Sequence, residues 1–158
     1  MLQDMQLENI VGEYKEATLN LYGSTPRKIY YTEIETPYPD GKLIVSTTDK
    51  AGIITHVNQS FVEMSGYREE ELINAPHSIL RHPDMPAVAF KDLWDTVNKG
   101  EKWQGIVKNL RKDGGYYWVK ATVIPNIRNG QVVGYTSVRR KPSRTKVNEC
   151  IQLYPTLF

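Results

Sequence analysis

WQGIVKNLRKDGGYYWVKATVIPNIRNGQVVGYTSVR, residues 103–139, carries the strongest β-sheet signal in the chain. It holds three β-prone runs, Trp103 to Arg111, Tyr116 to Pro125 and Val132 to Arg139, rich in aromatic and β-branched side chains. Lys112 to Gly115 supplies turn residues between the first two runs. Asn129-Gly130 separates the second from the third, and this dipeptide suits the two-residue hairpin turn because both central positions need positive φ. Three consecutive antiparallel strands follow from these signals.

Upstream, Leu43 to Thr48 and Ile53 to His56 read as two short strands around a turn at Asp49 to Gly52. Asn58 can cap a helix that presents Phe61, Val62 and Met64 and stops at Gly66. Arg68 to Leu72 reads as a second short helix. Ala87 to Lys99 places Phe90, Leu93, Trp94 and Val97 on one face, with Gly100 as terminator. Two strands, a run of helices and three strands predict an α+β domain. Its five-stranded antiparallel sheet is covered on one face by short helices, with room for a cavity between the layers.

PHSILRHPDMP, residues 76–86, joins the short helices to the longer one. Three prolines stop it from continuing as a helix, because each lacks an N–H and restricts the residue before it. Two histidines, an arginine and an aspartate make it too polar for ordinary core. It suits a pocket wall.

Residues 2–22 place Leu7, Ile10, Val11, Tyr14, Thr18 and Leu21 at helical spacing. An N-terminal amphipathic helix is predicted, packed on its own domain or forming a homodimer with a second copy. Residues 23–41 read as a proline-stiffened connector with a β-prone run at Ile29 to Ile34. The organisation expected is therefore 1–41 helix and connector, 42–141 sheet-and-helix domain, and 142–158 basic linker with a short helix.

At 158 residues, with 40% hydrophobic and 24% charged, the chain fits one globular domain with peripheral segments. No apolar run approaches the roughly 20 residues that cross a bilayer, and acids occupy the amino terminus where a signal peptide carries bases. A cytoplasmic location is expected. The single cysteine, Cys150, excludes an internal disulfide. Arg139, Arg140, Lys141, Arg144 and Lys146 form a local basic patch, yet no motif accompanies it that would indicate nucleic-acid binding.

The motifs NxxFVEMSGY (58–67), PHxxxRHPDMP (76–86), WxGIVKNxRKxG (103–114), YYW (116–118) and GYTSVRRKP (134–142) closely resemble the PAS domains of bacterial aerotaxis receptors. The similarity spans roughly residues 43–146. It implies a PAS fold, non-covalently bound FAD and a redox or oxygen sensor acting in aerotaxis or energy taxis. The partner implied is a chemotaxis transducer or a downstream signalling domain. The family's FAD-binding positions fall at Asn58, His77, Arg81, His82, Asp84, Trp94, Trp103 and Asn109, with Phe90 and Trp118 as wall residues.

These side chains suit an isoalloxazine, a flat apolar plate with a polar edge. Tryptophans can supply walls, and the carboxamides of Asn58 and Asn109 can donate and accept at the edge. Asn109 is expected to read the redox state. Arg81 offers a fork to phosphate or adenine, and Asp84 can orient Arg81 or His82. Two alternatives stay open: a haem gas sensor ligated through His56, His77 or His82, and a cofactor-free PAS interaction module. A photochemical flavin sensor needs a cysteine beside the ring, and Cys150 lies beyond the last strand. No glycine-rich phosphate loop, HExxH helix or GxSxG elbow points to an enzyme. If the 158 residues are a whole protein, its output is another chain; if they are a fragment, the output lies downstream.

Overall fold

The computed structural model describes residues 2–20 and 25–158. Two ribbons of chain pair first: β1 (Lys15–Leu19) with β2 (Arg27–Tyr31), antiparallel. Then come β3 (Ile44–Asp49), β4 (Ile54–Val57), α1 (Gln59–Ser65), α2 (Glu69–Leu72), a 3₁₀ turn at His77–Leu80 and α3 (Ala87–Val97). β5 (Trp103–Leu110), β6 (Tyr116–Arg128), β7 (Gln131–Arg140) and α4 (Arg144–Leu153) complete the chain. The main sheet has five antiparallel strands in the order β4-β3-β7-β6-β5.

Local chemistry explains the corners. Asn129 and Gly130 have φ of 52° and 75°, the two positive values that the β6–β7 hairpin turn requires. Pro125 sits inside β6 because β5 begins opposite Val123, so past that point the strand has a free edge on one side. The Asn58 carboxamide caps α1 by accepting from Phe61 N at 3.1 Å, accepts from Val45 N at 3.1 Å and donates to Leu43 O at 2.9 Å. These three bonds tie α1 to β3 and the residue before it.

Strand alternation sets the two faces of the sheet. Ile44, Ser46 and Thr48 of β3, Tyr135, Ser137 and Arg139 of β7, Tyr117, Val119 and Ala121 of β6, and Trp103, Val107 and Asn109 of β5 are buried. Against this face pack Phe61 and Met64 of α1, Leu72 of α2, Ile79 and Leu80 of the 3₁₀ turn, and Val97 of α3. On the opposite face, Tyr154 after α4 stacks 6.3 Å from Trp118 and its hydroxyl donates to Ile106 O.

The predicted N-terminal helix does not form. Only Leu7–Asn9 make a single 3₁₀ turn before Gly12 turns left-handed at φ 91° and the chain enters β1. The apolar spacing is helical, but remote backbone partners decide the outcome. Met5 N donates to Lys28 O, Val11 N donates to Asp113 O, and β1 pairs along its length with β2. Leu7, Val11 and Tyr14 stay exposed instead of forming a buried stripe. The dimer imagined through that helix therefore has no helix to form it; Leu21 and Tyr22, the end of the predicted span, lie outside the described residues.

Arg27 fastens this N-terminal ribbon to the helical layer. Buried, it donates from Nε to Gln3 O at 2.8 Å, from Nη1 to Ile79 O at 3.2 Å and from Nη2 to the Tyr67 hydroxyl at 3.3 Å. Arg27→Ala strands these acceptors and is expected to cost about 2–4 kcal/mol in urea unfolding. Amide exchange of residues 2–20 should accelerate most, and a loss below about 0.5 kcal/mol would show that the ribbon is held by other contacts.

Candidate functional site

The parity of the strands opens a cavity of about 280 Å³ between the sheet and the helices. Its floor is the inner face of β5, β6 and β7. Gly105, Ala121 and Arg139 lie in one row across β5, β6 and β7, because Gly105 pairs with Ala121 and Ala121 with Arg139. Gly105 carries the indole of Trp103 over it: a Cβ there would come within 2.3 Å of that ring. Trp103 is held by Asp92 of α3, whose Oδ2 accepts from its Nε1 at 2.9 Å. Trp94 forms another wall, edge-on to Tyr135 with centroids 5.4 Å apart. Phe90 lies at the margin, with the Arg81 guanidinium stacked 4.0 Å from its ring centre.

Of the residues expected to bind a cofactor, His77, Arg81, Phe90, Trp94, Trp103 and Asn109 line this cavity. The other four stand elsewhere. Asn58 is the α1 cap. His82 is buried on the far side of its segment, its ring 5.7 Å from that of Tyr31 and 6.1 Å from that of Tyr116. Asp84 accepts from Lys108 Nζ at 2.9 Å, and its backbone N–H donates to His82 Nδ1 at 3.0 Å. Trp118 faces α4 from the outer side of β6.

Backbone geometry separates Arg81 from His82. The 3₁₀ turn ends at Leu80, and Arg81 takes extended backbone that bridges to Asn109 of β5. Neighbours on extended chain point to opposite sides. Arg81 therefore reaches the cavity and His82 turns away.

Polar groups inside the cavity are few and underused. Asn109 Nδ2 and Arg139 Nη1, on two lining residues, are buried without a hydrogen-bond partner, as is the hydroxyl of Tyr117, which pairs directly with Asn109 but does not line the cavity. Burial pushes the Tyr117 phenol up to about 12, so it is a donor at any physiological pH. Arg139 Nη2 donates to Ser46 Oγ at 3.0 Å and to His77 Nε2 at 2.5 Å. Burial first, and the Arg139 charge second, push the His77 imidazole down to about 3, so it is neutral and can accept that bond. Buried donors left open around apolar walls fit a flat ligand with acceptors along one edge.

The residue that sequence reasoning missed is Arg139, counted there as part of a basic surface patch. It is 2% exposed. The alternation of β7 was its signal, since Tyr135 and Ser137 place residue 139 inward and Arg140 outward. Three of the other four bases are matched by acids: Lys141 with Asp40, Arg144 with Glu35 and Lys146 with Glu149.

An antiparallel five-stranded sheet with short helices over one face and a cavity between them is the architecture of a PAS domain. The PAS-fold family model matches residues 54–139, and the chain belongs to that family. It is 46% identical over 128 residues, 81% of its length, to the aerotaxis receptor of Escherichia coli, and its PAS domain is of that receptor's type. It is 26% identical over 141 residues, 89% of its length, to the nitrogen fixation regulatory protein of Klebsiella pneumoniae. The chain spans 25% of the first of these proteins and 27% of the second. Among solved structures, the light-state LOV domain of the blue-light photoreceptor Aureochrome1 superposes with a TM-score of 0.61 at 23% identity. That match covers 67% of this chain and 89% of the other, a likeness of fold. A PAS domain from Colwellia psychrerythraea gives 0.53 at 26% identity, over 65% and 87%.

Proposed function

We propose that the chain is a sensor domain that holds FAD non-covalently and reports redox or oxygen state in aerotaxis or energy taxis. The observation that carries this reading is the cavity itself, aromatic-walled and set with unpartnered buried donors at Asn109 and Arg139. Likeness to the aerotaxis receptor supports it. The bound flavin supplies one- and two-electron exchange with the surroundings. The chain supplies the rest: Trp94 and Trp103 wall the ring, Asn109 meets its polar edge, and Arg81 at the rim offers a guanidinium fork to the diphosphate.

Asn109 is positioned to pass on what it meets. It sits on β5, its backbone bridges Arg81, and its paired neighbour Tyr117 is on β6, next to the strand that leads into α4. An amide can donate or accept, so a change of protonation at the ring edge can reverse its orientation. The output would be a chemotaxis transducer or a downstream signalling domain. Cytoplasmic placement goes with that partner; no helix among the described residues is long and apolar enough to cross a membrane.

Haem ligation finds less support. His56 is exposed on β4, His82 is outside the cavity, and His77 Nε2 already faces a guanidinium that opposes a metal cation. Photochemical use would need a thiol at the ring, and the single cysteine, Cys150, sits on α4 and not in the lining.

The purified protein is expected to be yellow and to bleach on reduction. A sharp Soret band would favour haem, and a colourless preparation that takes up no FAD would favour a cofactor-free interaction module. Asn109→Ala should leave the unfolding free energy measured in urea within about 1 kcal/mol of the parent, because the amide's donor has no partner to lose. Flavin retention or the redox response should change. A variant with unchanged redox behaviour removes Asn109 as the sensing residue.

A further inference from the structure

Among the described residues, those lining the cavity include two cations, Arg81 at the rim and Arg139 on the floor, and no carboxylate. Arg139 stands out. Its Nη1 has no partner, and the groups facing it from each neighbouring element are neutral. These are Ser46 of β3, His77 of the 3₁₀ turn, Phe61 of α1 with its ring 5.1 Å away, and the phenols of Tyr117 on β6 and Tyr38. Burial is the main influence on its charge and pushes it down to about 10, which still leaves the guanidinium protonated in any physiological buffer. A buried cation is normally paired, because desolvation is otherwise uncompensated. Here the residue that carries it is part of the lining of a ligand cavity.

We infer that Arg139 makes this cavity selective for a negatively charged ring, completing with the ligand the ion pair that the protein does not supply. The inference rests on the flavin reading above and gives that cofactor a preferred charge state. An oxidised isoalloxazine that takes two electrons and one proton, the proton going to N5, carries a negative charge spread over N1 and the C2 carbonyl. A second proton, at N1, would neutralise it. A fixed cation on the cavity floor favours the one-proton product, and charge close to N1 is a recognised control on flavin electronics. Arg139 is thus a specificity-determining residue for the charge of the ligand. Asn109, by contrast, is neutral and meets either form.

The test uses the protein reconstituted with FAD and titrated with dithionite as electron donor against a reference dye, at several mildly acidic pH values. For the parent, the reduction constant should change about tenfold per pH unit, one proton accompanying two electrons. Arg139→Gln should approach a hundredfold change per unit, and at neutral pH should hold the reduced ring at least about tenfold less favourably relative to the oxidised one. Arg139→Lys keeps the charge and should keep the parent's dependence. A parent that shows the hundredfold dependence overturns the inference, whether or not the glutamine variant folds. So does a folded, FAD-binding glutamine variant that matches the parent in both slope and constant. A parent that fails to quench FAD fluorescence on mixing overturns the flavin reading itself, and this inference with it, an outcome distinct from binding without the charge preference.

Discussion

Ala121→Phe is expected to abolish flavin retention while leaving the domain folded. Ala121 is 4% exposed on the cavity floor, flanked in its row by Gly105 and Arg139. A benzyl group there has one direction available, into the slot of about 280 Å³ between the sheet and the helical layer. The ring would lie among Val119, Val123, Trp94 and Leu93, apolar neighbours that suit it, so the substitution fills space instead of overpacking the core. Cavity filling of this kind commonly adds about 0.5–2 kcal/mol to the ligand-free protein. The same ring removes the volume an isoalloxazine needs, and affinity should fall by more than about 100-fold, equivalent to roughly 2.8 kcal/mol. Flavin fluorescence quenching and a urea titration on one preparation check both halves. Undiminished FAD binding by a folded variant would mean that the flavin sits elsewhere.

That the site could be found at all from sequence depended on which signals are local. The Asn129-Gly130 turn, the Asn58 cap and the Gly66 stop act over a few residues, so hairpin and helix ends were legible, and the succession of two strands, helices and three strands gave a five-stranded antiparallel sheet. The amino terminus was not, because its helical spacing competes with backbone partners at Lys28 and Asp113 that lie far along the chain. Which of the expected residues line the cavity was not legible, for a related reason. Of the eleven residues 76–86, those that enter the lining depend on where the 3₁₀ turn gives way to extended chain, and that point divides Arg81 from His82. Parity also settles the remaining cases. Tyr117 and Val119 point inward on β6, so Trp118 between them cannot, and the inward register of β7 captures Arg139 although its neighbours in sequence are surface bases. An aromatic or a charge therefore acquires meaning only with its register.

Acid should unfold this domain steeply, beginning near pH 6.5 and well before its carboxylates titrate. His77, half-buried, and His82, buried, are both neutral. Burial is the main cause in each, reinforced by Arg139 beside His77, whose imidazole falls to about 3, and by Lys108 beside His82, whose downward shift Asp84 only partly offsets. In the unfolded chain each titrates near its usual value of about 6.5. Their folded pKa values are depressed, so the stability they contribute is fully present above the unfolded pKa and is lost as pH falls towards the folded one. Between those limits the unfolded state binds two more protons than the native state, and stability should drop by about 2.7 kcal/mol per pH unit. A domain stable by about 5–15 kcal/mol reaches its midpoint within a few units at that slope. Lower still, the loss steepens as Asp84 and Glu71 are protonated. Burial works against the charge of both, but Lys108 beside Asp84, and the Arg68 backbone N–H together with Lys112 beside Glu71, hold the carboxyls below the usual range, and that contribution disappears as pH falls through it. Urea midpoints measured at fixed cofactor occupancy from neutral pH downward give the slope directly. His82→Gln, outside the cavity, should halve it to about 1.4 kcal/mol per unit. A stability profile flat between pH 6.5 and about 5 would mean that both imidazoles accept protons in the folded protein, and would sink the assignment of His77 as a neutral acceptor for Arg139.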